Sequence, residues 1–154
     1  MMKNQQKQNL LKAKISINCS TANLSFIRTF VKEKLLKFVS NMHMLDNLVL
    51  AVDEAVSNAI IHGHGNDKKN TILLEIELDE KALIFKISDI GEIDFKQYAF
   101  LKRNVEELAR KKLKGGVGLK IIYKVMDIVE YKKIDGVNYC LLKKYVENSQ
   151  YQQE

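Results

Sequence analysis

Residues 45–65, LDNLVLAVDEAVSNAIIHGHG, constrain this chain more than any other stretch. Leu48, Val52, Ala55, Val56, Ala59 and Ile60 recur at helical spacing, and Val49, Leu50 and Ile61 extend the apolar surface most of the way round. The spacing predicts a helix that is largely buried. Within it Glu54 and Asn58 stand four residues apart, so a carboxylate and a carboxamide project from one face. Buried polar groups need partners. The segment predicts an N-cap at Asp46 and a stop near Gly63 and Gly65. A core helix whose polar side chains are satisfied by neighbouring loops would carry the same signature.

Residues 71–89, TILLEIELDEKALIFKISD, alternate at period two. Ile72, Leu74, Ile76 and Leu78 share one face of a first strand; Leu83, Phe85 and Ile87 share one face of a second, with the turn at residues 79–81. Asp89 continues the second series, so a strand that keeps its register aims this carboxylate at the buried side, where it needs a donor. A strand ending at Ser88 would instead leave Asp89 capping a turn with Gly91. Residues 128–134 and 137–145, joined by Asp135-Gly136, predict a second hairpin.

Upstream, AKISINC at residues 13–19 reads as a half-buried strand. Leu24, Ile27, Phe30, Val31, Leu35, Phe38 and Val39 then predict an amphipathic helix over 22–40, capped by Ser20 or Thr21. Residues 92–114 lose this regularity and read as a charged loop with a short helix near 103–112. Gly115, Gly116 and Gly118 follow, just before the helical stripe Leu119, Ile122, Tyr123 and Met126. Glycines that open a helix admit close backbone approach, and the helix's free N–H groups favour phosphate. A flexible hinge would look the same. The order β-α-α-β-β-loop-α-β-β predicts an α+β fold, a two-layer α/β sandwich with helices on one face of a mixed, largely antiparallel sheet.

With 154 residues and 46% hydrophobic content, the expectation is one domain over 13–146, with a disordered tail at 1–12 and a polar tail at 147–154. No apolar run approaches the roughly 18 residues of a membrane span, and the start lacks a signal-peptide core, so a soluble cytoplasmic protein is expected. Cys19 and Cys140 lack metal-site spacing and read as reduced packing residues. The net charge of +6 favours acidic partners, nucleotides or nucleic acid. Its densest cluster, Lys102, Arg103, Arg110, Lys111, Lys112 and Lys114, reads as a solvated face; without an aromatic platform, nucleic-acid binding ranks last.

Taken in order, EAVSNAIIHG, DIG and GGVGLKII resemble the N box and the two glycine boxes of the GHKL ATPase superfamily. DEAVSNAIIHGH and GGVGLKIIYKVMDIVEY look most like the anti-sigma-factor serine kinases of bacteria. The resemblance covers about residues 13–143 and implies the histidine-kinase-like ATPase fold, with ATP between helix and sheet. It implies that Asn58 ligates Mg²⁺, that Asp89 accepts from the adenine amino group, and that Gly91 makes room for the base. Gly116, Val117, Gly118 and Leu119 would present backbone N–H groups to the phosphates, Lys114 would reach the γ-phosphate, and Glu54 would be the catalytic base.

Two positions depart from the family pattern. The first glycine box continues as DIGEI, with Ile93 where a second glycine is usual, and the last hairpin has Gly136-Val137 in place of Gly-Thr. Asn138 or Ser88 is then the candidate to supply the missing polar contact. His62 and His64 read as packing residues at the helix end. The implied function is an ATP-dependent anti-sigma factor that phosphorylates a serine of an antagonist protein, sequesters a sigma factor and forms a homodimer. The alternatives are a nucleotide-responsive binding module without kinase activity and the ATP-binding component of a histidine-kinase-like system.

Overall fold

The structure is a computed structural model, and it describes residues 10–63, 69–89 and 116–146. Period-two alternation builds five strands: β1 (Leu11–Asn18), β2 (Thr71–Leu78), β3 (Ala82–Asp89), β4 (Ile128–Ile134) and β5 (Val137–Tyr145). They form one sheet in the order β1-β2-β3-β5-β4. Every pairing among them is antiparallel, which is the antiparallel limit of the mixed sheet expected. Three α-helices complete the described fold: α1 (Leu24–Leu35), α2 (Met42–Asn58) and α3 (Gly116–Val125).

One face of the sheet carries Ile72, Leu74, Ile76, Leu83, Phe85, Ile87 and Leu142, all buried. The helices cover that face with Ile27, Val31 and Leu35 of α1, Leu48, Val52 and Val56 of α2, and Leu119 and Ile122 of α3. Each such large apolar side chain contributes about 1.5–3 kcal/mol on burial, so the alternation of β2 and β3 holds the register. The opposite face is more open, and there Lys86 Nζ lies 3.4 Å from Glu75 Oε2. The result is the two-layer sandwich expected from the element order.

The hairpin turns follow their local chemistry. Asp79 Oδ1 accepts from the N–H groups of Lys81 and Ala82, both at 2.8 Å, closing β2 onto β3. Asp135 and Gly136 have φ of 51° and 79°, the left-handed pair that a two-residue hairpin loop requires.

Several boundaries differ from those expected. Leu10 N–H donates to Leu78 O at 2.7 Å and β1 begins at Leu11, so residues 10–12 belong to the sheet rather than to a tail. The earlier part of that tail, residues 1–9, and the tail at 147–154 lie outside the described residues. Helix α1 is shorter than 22–40: a 3-10 turn at Thr21–Asn23 leads in, with Ser20 Oγ accepting from Ala22 N–H at 3.3 Å. It stops at Leu35, and Val39 N–H donates to Leu35 O at 2.9 Å. Val39 is only 2% exposed, so burial rather than helical position explains why it extends the apolar stripe.

Helix α2 begins before Asp46. Its cap is Asn41, whose Oδ1 accepts from Met44 N–H at 3.0 Å. Leu45 is fully buried and already on the helix, so the first turn has to precede it, and Asp46 lies within the helix with a solvent-facing side chain. After Asn58 the helix widens into a π-turn over Ala59–Gly63, a geometry frequent at functional sites. Cys19 and Cys140 are free thiols in the core. No helix among the described residues is long and apolar enough to cross a membrane.

Candidate functional site

Helix α2 packs along α3 and also touches β3, the elements that carry three of the expected site regions. The closest fit in this region joins Glu54 to Gly118. A Cβ built on Gly118 would overlap Glu54 Oε2 and lie 3.2 Å from Glu54 Cδ. The carboxylate of α2 therefore rests directly on the first turn of α3, and a side chain at position 118 would have to push it aside. Burial raises the Glu54 carboxyl above its ordinary value, and the negative charge of Asp53 raises it further. Asp53 in turn holds Arg28 of α1, with Nη1 to Oδ1 at 3.0 Å. Burial still raises the Asp53 carboxyl, against the lowering effect of Arg28.

One turn beyond Glu54, Asn58 is 8% exposed and its Nδ2 has no hydrogen-bond partner among the described residues. A buried carboxamide left with an unpaired end is costly in a closed core and is matched to a site that receives a ligand. Rotation by a half-turn about its last side-chain bond exchanges N–H donors for a carbonyl oxygen at the same place.

Asp89 ends β3 on the buried side, as its parity predicts, at 5% exposure. Its direct neighbour on β5 is Asn138, 2% exposed, whose Nδ2 donates to Asp89 Oδ1 at 2.9 Å. Two residues along the same face, burial pushes the Cys140 thiol up to about 12, while the Tyr131 hydrogen bond lowers it and Asp89 raises it. That sulfur stays protonated at neutral pH and serves packing.

Gly116 is the first described residue of α3, so Gly116, Val117, Gly118 and Leu119 form its first turn, the part of a helix where backbone N–H groups are left over for other acceptors. The Leu119 side chain is in the core at 3% exposure. Of the remaining expected site residues, Gly91 and Lys114 lie outside the described residues, as do Ile93, His64 and the short helix expected at 103–112. Two features were not anticipated: the contact of Glu54 with Gly118 and the Arg28–Asp53 pair. Both join residues far apart in sequence, and no local pattern signals them. Asn138, in contrast, sits on the parity of Cys140 and Leu142, which points it at the same side as Asp89.

The sequence matches the histidine kinase-like ATPase domain over residues 17–143. It is 27% identical over 144 residues to an anti-sigma F factor of Geobacillus, covering 88% of this chain and 92% of that protein. It is 28% identical over 109 residues to a serine-protein kinase RsbW of Listeria innocua, covering 69% of each. Among solved structures, the fold resembles the RsbU and RsbW domains of a Mycobacterium tuberculosis protein, with a TM-score of 0.62 and 15% identity over 93% of this chain. This chain spans 35% of that longer one. It also resembles a structure of the SiaB–SiaC complex of Pseudomonas aeruginosa, with a TM-score of 0.56, 17% identity and 92% coverage of both chains. With the match running from the end of β1 almost to the end of β5, across all three helices, the chain belongs to the histidine kinase-like ATPase domain family.

Proposed function

We propose that this protein is an ATP-dependent protein-serine kinase of the anti-sigma-factor type, acting in the cytoplasm on a small antagonist protein and sequestering a sigma factor. The observation that carries this reading is Glu54, a carboxylate with a raised affinity for protons, held against the first turn of a glycine-opened helix. The names of the relatives, anti-sigma F factor and serine-protein kinase RsbW, support it.

In this reading Asp89, fixed by Asn138, accepts from the adenine amino group. The free N–H groups of residues 116–119 hold the phosphates, and Gly91 and Lys114 complete the base and γ-phosphate contacts. The Asn58 carboxamide suits a hard cation such as Mg²⁺, which prefers oxygen ligands and keeps most of its waters, so one protein oxygen is enough. A cation held there would supply charge neutralisation to the transferring phosphoryl group.

Glu54 accepts the proton of the substrate serine hydroxyl as its oxygen attacks the γ-phosphorus. The new O–P bond forms, the bond from that phosphorus to the β–γ bridging oxygen breaks, and ADP leaves with that electron pair. A base at this position works best when its proton affinity is raised toward neutrality, the direction in which burial and Asp53 move Glu54.

The test is incubation of the pure protein with labelled ATP, Mg²⁺ and the antagonist encoded nearest to it, followed by phosphoamino-acid analysis. Acid-stable serine label that disappears in Glu54→Gln is expected. A protein that binds ATP yet labels no antagonist would be a nucleotide-responsive binding module instead. Light scattering with and without ATP reads out the proposed homodimer.

A further inference from the structure

Toward the opposite end of the α2–α3 seam from Glu54 and Gly118 lies a cleft of about 440 Å³. Met44 and Leu50 of α2 face Ile121 and Val125 of α3 across it, and Lys124 and Lys144 stand at its walls. Leu50 is 42% exposed and, with Met42, is one of the two large apolar side chains of α2 left exposed among the described residues. No acidic side chain lines the cleft among the described residues. Lys144 shares its charge with Asp127 at 3.4 Å, whereas Lys124 has no carboxylate partner among the described residues.

We infer that this cleft binds a small amphipathic anion, a molecule with a short apolar body and one carboxylate. Its volume falls in the range of small-ligand pockets, its walls combine the apolar Met44, Leu50, Ile121 and Val125 with the polar Asn41, His43 and Asn47, and its charged groups are cationic. The apolar body lies between Leu50 and Ile121, and the carboxylate meets the Lys124 ammonium, with Lys144 beside it. Leu50 is one helical turn before Glu54, and Ile121 is three residues after Gly118. A ligand between them contacts the same helix pair that seats Glu54 on α3. The binding itself does not depend on the kinase reading.

The experiment uses hexanoate, hexanol and hexylamine as probes of matched apolar length, titrated into the ¹⁵N-labelled full chain and followed by amide chemical-shift changes. Hexanoate is expected to saturate shifts centred on residues 44–50 and 121–125, hexanol to bind about tenfold more weakly, and hexylamine not to bind. Lys124→Glu is expected to weaken hexanoate about tenfold. Leu50→Trp, a substitution at an exposed position that fills the cleft, is expected to remove the shifts while melting temperature and ATP affinity stay as in wild type. Equal response to hexylamine, shifts that survive Leu50→Trp, or no shifts at all overturns the proposal. Failure of serine phosphorylation in the separate kinase assay leaves this result unaffected, so the two readings fail independently.

Discussion

Asn138 Nδ2 donates to Asp89 Oδ1 at 2.9 Å across the β3–β5 ladder, and both residues are almost fully buried. The bond holds a carboxylate at the end of a strand in one orientation. If Asp89 recognises adenine, Asn138→Val lowers ATP affinity about tenfold, the scale of one buried bond to a charged group. Asp89→Asn lowers it at least as much, because the acceptor for the amino group loses its charge. Calorimetry with ATP checks both, and unchanged ATP affinity in Asp89→Asn would place the base elsewhere.

Removing the proposed base separates chemistry from binding. Glu54→Gln is expected to keep ATP affinity within about threefold while phosphotransfer falls about 10²–10⁴-fold. Asn58→Leu, which keeps the side-chain volume but offers no oxygen, is expected to weaken ATP binding in Mg²⁺ and to leave the smaller affinity seen in EDTA unchanged. Equal losses in both conditions would count against a metal ligand at this position.

The contact between Glu54 and Gly118 makes a stability prediction that does not involve the substrate. Gly118→Ala displaces the Glu54 carboxylate, the end of a flexible side chain that can swing aside, and alanine is the better helix former, so the cost is expected to stay within about 1 kcal/mol. The double variant Gly118→Ala with Glu54→Ala relieves the overlap and recovers most of that loss. Urea melts of the four proteins of this cycle measure the coupling, and additive effects would refute the contact.

The acid limb of the phosphotransfer pH profile is expected to lie above the ordinary glutamate value of 4.5, because burial and Asp53 both raise Glu54. The active form is the carboxylate, so activity is lost as pH falls through that raised value. Asp53→Asn removes the adjacent negative charge and leaves Arg28 unpaired nearby. Both changes favour the ionised base, so the limb moves to lower pH. A limb that stays in place would mean that another group titrates.

The corrected helix start also has a test. Asn41→Ala removes the cap of α2 and is expected to cost about 1 kcal/mol. Asp46→Ala touches only a solvent-facing side chain with a 4.0 Å contact to Lys32, and is expected to stay within about 0.5 kcal/mol. Thermal melts distinguish the two.

The sequence by itself determined the periodic part of this protein. Alternation in residues 71–89 placed Ile72, Leu74, Phe85 and Ile87 in the core and carried Asp89 with them, because the pleat puts every second side chain on one side. Asp135-Gly136 marked a hairpin because only a few residues tolerate left-handed backbone. Glu54 and Asn58 were recognisable through their spacing and their resemblance to a motif. The helix limits were less legible, because Asn41 and Asp46 are both good caps and only the burial of Leu45 decides between them.

Tertiary structure alone decided what those residues touch. Glu54 and Gly118 belong to different helices separated by a long stretch of chain, and their fit depends on how closely α2 and α3 approach, which no periodicity encodes. The same holds for Arg28 against Asp53 and for Asn138 against Asp89, where a side chain finds its partner through packing. The cleft beside Leu50 is lined jointly by α2, α3 and β5, a property of their packing and not of any one sequence stripe.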